Sequence, residues 1–313
     1  MNSTLLPVPR LIGARVAVEP PGEGAGNWAG APSAVLVDGV VHLAYRVRAP
    51  VGCGRGLAVV LACAQDGVTF ETVGEVTKER FGAESLERPA LLRTAEGRWR
   101  LFVSCATPGS KHWWVDVLEA DTFEGLADAP RLTVLPGDDR HAVKDPVIVF
   151  DHGRWHLWAS VHPLDRPRHE DRMTTEHYTS LDGLSWTHAG SALRPRAGRW
   201  DVRGVRVSAV VRVGGRWTMT YDGRATAEEN WEERTGLAYA DGAGSVFTAS
   251  GDAPVAESPH AGRGLRYLSV VDLPEGGYRL YYEATRSDGA HELRTELLLP
   301  HEGRGDRPVA VAA

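Results

Sequence analysis

The chain has little of what would mark a disulfide-stapled, membrane-spanning or nucleic-acid-binding protein. It holds 3 cysteines in 313 residues, Cys53, Cys63 and Cys105. They are odd in number and lack metal-ligand spacing, so they read as core thiols rather than a disulfide framework. No apolar run approaches the roughly 20 residues that cross a bilayer. The start, MNSTLLPVPRLIGARVAVEP, has no basic stretch followed by an apolar one, so no signal peptide is read there. Positive charge is not in excess. The formal net charge of −6 argues against a nucleic-acid backbone or an anionic membrane as partner. Together these absences predict a cytoplasmic protein with reduced thiols. Long helical periodicity is missing too, which turns attention to strands. Glu228 to Arg234 is the main exception, readable as a short surface helix or as a charged loop.

What the chain does have is one motif five times over. The copies are AGAPSAVLVDGVVHLAYR (Ala29 to Arg46), LERPALLRTAEGRWRLFVS (Leu86 to Ser104), VKDPVIVFDHGRWHLWAS (Val143 to Ser160), VRVSAVVRVGGRWTMTYD (Val205 to Asp222) and RYLSVVDLPEGGYRLYYE (Arg266 to Glu283). Each is an apolar run, a Gly turn and a second apolar segment. The turn glycines Gly39, Gly97, Gly153, Gly215 and Gly276 recur every 56 to 62 residues. A long fixed period of β-rich units is the mark of a propeller or array. A weaker strand, Asp-Gly turn, strand pattern follows two copies, ACAQDGVTFE (Ala62 to Glu71) and YTSLDGLSWTH (Tyr178 to His188). That gives about four strands per unit, the content of one blade. The fold predicted is all-β, a five-bladed β-propeller with about four antiparallel strands per blade. Residues 1–300 form one domain in this reading. Residues 301–313 form a disordered tail, whose GRGD run (Gly303 to Asp306) is given no adhesive role. In the third copy the continuous run Val147 to Phe150 predicts a buried inner strand. The alternation after the turn predicts a more exposed neighbour.

In a propeller the start of each first strand faces an axial pocket. Aligning the copies on Pro32, Pro89, Pro146, Ser208 and Ser269 puts Ala31, Arg88, Asp145, Val207 and Leu268 in register just before. Gly30, Glu87, Lys144, Arg206 and Tyr267 come one earlier. The mouth thus gathers Glu87, Arg88, Lys144, Asp145 and Arg206, with Arg203, Arg266 and Trp28 near by. The second-strand ends add Arg46, Asp222 and Glu283. Charges at the start of buried strands are costly unless paired with one another or with a ligand. Pairing alone would make a salt-bridge network that closes the axis. Cleaving a glycosidic bond instead takes two carboxyl groups across the bond. Asp145, with Glu87 as partner, fits that need, and Glu283 and Asp222 are further candidates. Trp28, Trp113, Trp114 and Trp231 could stack on sugar faces or simply pack between blades. Arg88, Lys144, Arg203, Arg206, Arg266 and Arg46 suggest a phosphate, carboxylate or sulfate on the substrate side. His112, His141, His152 and His162 have no spacing that compels a metal. No metal and no cofactor are predicted.

The blade signature over roughly residues 25 to 285 resembles the five-bladed β-propeller glycosidases: the arabinanase/xylosidase, invertase/fructosidase and mannoside phosphorylase families. The mannoside phosphorylases are the most similar. They share an Asn-containing entry (Asn27), a strand ending Tyr-Arg (LAYR, Leu43 to Arg46), a Lys-Asp pair in the third blade (Lys144-Asp145) and an Arg- and Gly-rich fourth-blade entry (RWDVRGVRVS, Arg199 to Ser208). The resemblance also marks departures. The phosphorylases carry Glu-Asp-Pro-Arg in the second blade, and its Asp is the expected proton donor. Here Glu87-Arg88-Pro89-Ala90 stands there. The other two families need an Asp at the start of blade one, where Gly30-Ala31-Pro32 stands here. Asp145, Glu87, Glu84, Asp222 or Glu283 would have to take over acid-base duty.

Three functions remain open at this point. The first is cleavage of a glycosidic bond by hydrolysis or phosphorolysis, on a small-molecule or oligosaccharide substrate, anionic or joined by inorganic phosphate. The second is a repurposed propeller enzyme performing a cyclisation, elimination or rearrangement of an anionic small molecule. The third is a non-catalytic sugar-binding propeller.

Overall fold

The computed structural model describes residues 5–240, 242 and 244–300. The tail 301–313, with its GRGD run, lies outside the described residues. Twenty strands account for most of the described residues. β1 (Arg15–Val18) stands alone at the front. β2 (Trp28–Val37), β3 (Val40–Arg48), β4 (Gly56–Ala64) and β5 (Glu71–Thr77) pair antiparallel in sequence order. So do β6 (Leu86–Arg93), β7 (Trp99–Ala106), β8 (Trp113–Ala120) and β9 (Arg131–Leu135). The next four-stranded sheet is β10 (His141–Asp151), β11 (Arg154–Pro163), β12 (Thr174–Ser180) and β13 (Thr187–Leu193). A fourth is β14 (Gly204–Val213), β15 (Arg216–Arg224), β16 (Arg234–Ala240) and β17 (Thr248–Ser250). β18 (Leu265–Asp272), β19 (Tyr278–Thr285) and β20 (His291–Leu298) follow, and β1 pairs antiparallel with β20. The N-terminal segment therefore supplies the outer strand of the last sheet, which the motif repeat gave no sign of. A single parallel pairing, Trp28 with His291, ties β2 to β20.

Among the described residues helix is confined to one turn, α1 (Lys78–Phe81), and a 3₁₀ turn at Glu124–Ala127. The Glu228 to Arg234 segment is turn and the first residue of β16, so the charged-loop reading of it holds. Among the described residues no helix is long and apolar enough to cross a membrane.

Local chemistry explains the hairpins. Asp38-Gly39, His152-Gly153 and Gly214-Gly215 all have φ between 48° and 81° at both positions, the two-residue turn that suits twisted strands. The two weaker hairpins have longer loops, each pinned by an aspartate. Asp66 Oδ1 accepts from the Val68 and Thr69 amides, and Asp182 Oδ1 from those of Leu184 and Ser185.

The first strands pack in succession: β2 on β6, β6 on β10, β10 on β14, β14 on β18 and β18 on β2. Apolar clusters fill the spaces between neighbouring sheets. Leu61, Leu101 and Val103 join the first two, Phe102, Leu157 and Val161 the next pair, and Trp158, Trp217 and Met219 the third. One expectation is corrected here. The second strands are not more exposed than the first: β15 is buried from Trp217 to Arg224, while Phe150 on β10 is 50% exposed. A second strand has neighbouring sheets over both faces. Exposure falls on the outermost strands, such as β5 and β9.

Every first strand carries a β-bulge, and always at the same place. The register shifts fall between Gly30 and Ser33, Leu86 and Pro89, Lys144 and Val147, Val207 and Ala209, and Arg266 and Ser269. The leading bulge residues are Ala31, Glu87, Asp145, Val207 and Tyr267. The sequence alignment was therefore one residue out in the second and fifth copies: Glu87 and Tyr267, not Arg88 and Leu268, match Asp145. Ala31, Asp145 and Tyr267 take φ of 50°, 56° and 55°. A bulge re-aims the side chains around it.

Between the third and fourth sheets lies a buried histidine pair. His156 Nδ1 is 3.1 Å from His177 Nε2, and Trp158 stacks against His177 with centroids 5.1 Å apart. Burial lowers both imidazoles, His177 to about 4 with His156 as the second cause. Both are therefore neutral in the fold, while the unfolded chain takes up protons near pH 6.5. Their contribution to stability is complete above that pH and is lost as the pH falls towards 4. His177→Phe should flatten the loss of stability between pH 6.5 and 4. Urea unfolding at stepped pH reads this directly; an unchanged slope would show that the pair plays no part in acid sensitivity.

Candidate functional site

The bulges bring the charged starts of the first strands to one end of the sheet assembly. The residue before each bulge faces the end of its second strand: Gly30 faces Arg46, Arg206 faces Asp222, and Arg266 faces Glu283. Neighbouring sheets then link sideways. Arg46 Nη1 donates to Glu87, with Oε2 at 2.6 Å, and Arg46 Nη2 donates to Glu283 Oε2 at 2.9 Å. Arg266 donates to Glu283 Oε1 at 2.8 Å and to Glu233 Oε2 at 2.7 Å. Arg206 reaches Asp222 Oδ2 at 3.0 Å and Glu233 Oε2 at 3.4 Å, and Arg224 closes on Glu233. Lys144 Nζ stands 3.9 Å from Glu87 Oε2 and 3.6 Å from Asp145 Oδ2. This is a continuous chain of ion pairs, nearly all of it buried.

Burial raises a carboxyl's pKa and neighbouring cations lower it. At Glu87 burial is overridden by Arg46, with Lys144 and Arg48 assisting, and the carboxyl sits at about 2. Burial at Glu283 is overridden by Arg266 and Arg46, and at Glu233 by Arg206, Arg266 and Arg224, so both lie well below the ordinary carboxylate range. At Asp222 burial wins over Arg206 and the carboxyl is raised. Burial also lifts the Tyr267 phenol well above its usual value, so it stays protonated.

Above the chain of ion pairs opens a cavity of about 430 Å³. Of the residues expected at the site, Glu87, Lys144, Arg203, Arg206 and Arg266 line it. Glu87 is 12% exposed at its side chain, whereas Glu233 is 1% exposed. Asp145, Asp222, Glu283, Arg46 and Trp28 are buried beneath and are not part of the lining. Both Asp145 oxygens lack a hydrogen-bond partner among the described residues. Arg203 is paired with Asp171 at 2.6 Å and 2.8 Å. Two expected residues lie elsewhere. Arg88, second in its bulge, does not line this cavity; it stays 5.9 Å from the Tyr267 ring, donates to the carbonyls of Val207 and Leu268 and lines a separate cavity of about 360 Å³. The Asn27 amide ties down its own loop through the Glu23 and Gly24 carbonyls.

Several residues at the site escaped sequence reasoning. Tyr267 places its hydroxyl 3.4 Å from Glu87 Oε2 and its ring 3.9 Å under the Arg206 guanidinium. It was visible in the motif, but the one-residue misalignment hid its place. Glu233 comes from the stretch before β16 that read only as charged, and Arg224 ends β15, two residues beyond Asp222. Arg48 lies two residues after Arg46 on β3, hence on the same strand face. Glu170 and Asp171, on the loop between β11 and β12, line the cavity too.

No family model matches the chain, and no curated protein matches it in sequence. Solved structures do match. A thermostable family-43 glycoside hydrolase superposes with a TM-score of 0.68 at 14% identity, over 88% of this chain and 91% of that one. The β-1,2-mannobiose phosphorylase from Listeria innocua matches with a TM-score of 0.64 at 14% identity, over 90% and 92%. A GH43 enzyme from Xanthomonas citri, solved with xylotriose, matches with a TM-score of 0.65 at 14% identity, over 90% of both. The fold is thus the one seen in these glycoside hydrolases and in the mannobiose phosphorylase.

The ion-pair chain makes Glu233 its most consequential link, since three guanidiniums converge on it. Glu233→Gln should cost about 3–5 kcal/mol, the range for breaking a buried pair and leaving charge uncompensated. Chemical denaturation measures it; a loss below about 1 kcal/mol would show that the guanidiniums find other partners.

Proposed function

We propose that the protein is an enzyme that cleaves a glycosidic bond, by hydrolysis or phosphorolysis, on a carbohydrate bound above Glu87. The observation that carries this reading is the state of Glu87. It belongs to the buried ion-pair chain, is held ionised by Arg46, and still reaches the cavity. An ionised carboxylate at the floor of a sugar-sized cavity is equipped to act as a nucleophile or to stabilise positive charge developing on the sugar ring. Tyr267 offers a protonated phenol beside it. The leaving oxygen needs a proton from a second group. Asp171 is committed to Arg203, while Glu170 has no cation partner among the described residues and lines the same cavity. Glu170 is assigned that role. Asp145, shut away behind Lys144, supports the field at Glu87 rather than meeting the substrate.

The reading takes residues 1–300 as one domain and the fold as a five-bladed propeller. The packing succession from β2 through β6, β10, β14 and β18 back to β2, each with its antiparallel partners, supports it. It keeps the cytoplasmic placement, which the unpaired thiols of Cys63 and Cys105 suit.

A second reading rests on a specific observation: Asp145, the family-like aspartate, is closed off from the cavity. The same cup of charges would then bind or rearrange an anionic small molecule without cleaving a glycoside.

Glu87→Gln should lower turnover by about a thousandfold or more with the fold intact. Mass spectrometry of aryl glycosides and oligosaccharides incubated with and without inorganic phosphate checks it. Sugar phosphate formed only with phosphate means phosphorolysis, and free sugar in both means hydrolysis. Absence of any cleavage moves the function to the second reading. Because Glu87 titrates at about 2, the acid limb of kcat/KM that belongs to it should lie below about pH 4. A limb that follows Glu87 but falls at or above the ordinary glutamate value of about 4.3 would be inconsistent with the role given to Arg46.

A further inference from the structure

The cations around the cavity are not equally engaged. Arg46, Arg206, Arg224, Arg266 and Lys144 each pair with carboxylates of the buried chain. Arg203 and Arg55 have Asp171 and Glu84. Arg48 has none among the described residues, although it is 3% exposed and lines the cavity. Its Nη1 is buried without a hydrogen-bond partner. Burial, with Arg46 close by, lowers its pKa to about 10, so its charge is poorly compensated as it stands.

What holds Arg48 is aromatic. Its guanidinium lies 3.7 Å from the Trp28 ring centroid and 4.8 Å from that of Trp231. The shorter distance is a stacking distance, which occupies the guanidinium face and leaves its N–H edge to bond in plane. That edge matches a carboxylate or phosphate with two parallel hydrogen bonds. Trp231 makes the second independent observation. It is 44% exposed and takes φ of +78°, a left-handed conformation unusual for a bulky residue. Its contact with Arg48 and an edge-on contact with Trp28, centroids 5.7 Å apart, keep it there. Strain of this kind persists where surrounding structure over-determines it, and it clusters at ligand sites. The indole stands over the same cavity that Arg48 lines, ready to cover a sugar ring.

We propose that the cavity recognises a sugar carrying its own negative charge, with Arg48 receiving the charged group and Trp231 covering the ring. The inference rests on the carbohydrate reading above and names the class of substrate. A uronate carboxylate and a sugar phosphate share the needed chemistry. Inorganic phosphate would be the alternative occupant.

The test is binding, not turnover. Thermal-shift and calorimetric titrations of the wild-type chain would use D-glucuronate, D-galacturonate and glucose 6-phosphate, their neutral parents glucose and galactose, and inorganic phosphate. Charged sugars should bind and the neutral parents should not. The carboxylate and phosphate arms tell which anion Arg48 prefers. Arg48→Gln should weaken the charged sugars by about tenfold or more, the worth of a charge-assisted hydrogen bond, and Arg48→Lys by less. Trp231→Ala should weaken the charged sugars while leaving any inorganic phosphate binding unchanged. If Arg48→Gln does not fold, Arg48→Lys carries the comparison. The proposal is overturned if no charged sugar binds, if neutral sugars bind as well, or if Arg48→Gln binds charged sugars as tightly as wild type. It is also overturned if inorganic phosphate alone binds through Arg48. Binding without any glycoside cleavage would instead sink the glycosidase reading and leave this one standing.

Discussion

The structure depends on a set of buried charges that cannot be left unpaired. Moving an ion out of water costs several kcal/mol even after relaxation, and a partner in good geometry is what offsets it. Arg46, Glu283, Arg266, Glu233, Arg206 and Asp222 form such a set, each bonded to the next. The links join different sheets: Glu87 from the second, Arg206 and Glu233 from the fourth, Arg266 and Glu283 from the last. The strand starts are therefore held in register by electrostatics at one end and by apolar packing between sheets along their length. Neither suffices alone. Apolar side chains between sheets tolerate small slides, whereas charge pairs with 2.7–3.0 Å bonds do not.

The bulges are the backbone device that makes this possible. Alternation along a strand would send successive residues to opposite sides. Glu87 and Arg88 show the consequence at closest range. The first joins the ion pairs beneath the cavity, and the second bonds to carbonyls of β14 and β18. Two neighbouring charges thus take different partners around one residue, since Arg88 stays 5.9 Å from the Tyr267 ring that Glu87 also meets. Tyr267 uses its bulge differently. Its amide donates to Asp222 Oδ2 at 3.0 Å while its hydroxyl points to Glu87. One residue therefore couples the raised carboxyl of Asp222 to the lowered carboxyl of Glu87.

Much of this was legible in the chain because it repeats. Period, turn glycines and apolar runs are local signals, and they predicted strands, hairpins and charged strand starts. Charges at strand starts also predicted a cluster, since isolated buried charges are too costly. What repeats do not reveal is a one-residue insertion inside a strand. Prolines at 32, 89 and 146 looked equivalent, yet the bulge places Pro89 after the irregularity and Pro32 within it. That single offset separated Glu87 and Tyr267 from the position they share with Asp145. Residues supplied by loops were equally hidden. Glu233, Glu170 and Asp171 carry no motif, and only the fold brings them to the cavity. β1 was missed for a related reason: a four-residue strand far from its partner in sequence has no periodicity to read.

The comparison with the propeller glycosidases gains meaning at Gly30. The resemblance implies an aspartate at the start of the first repeat, where Gly30-Ala31-Pro32 stands here. Gly30 is not simply an empty position. A Cβ there would come 2.1 Å from Glu283 Oε2. The missing side chain makes room for a carboxylate from β19, so the region keeps its negative charge while changing its source. The replacement is not chemically equivalent. Arg46 and Arg266 grip Glu283, and His291 Nδ1 lies 2.7 Å from it beneath the Trp28 ring. A carboxylate held on that many sides at 0% exposure contributes charge but has no route to a substrate. On the proposed reading, the chemistry therefore falls to the carboxylates that still face the cavity. The fold is shared at 14% identity, but the group that does chemistry on it need not be. The balance of buried charge, rather than the position the resemblance implies, singles out Glu87 on the proposed reading.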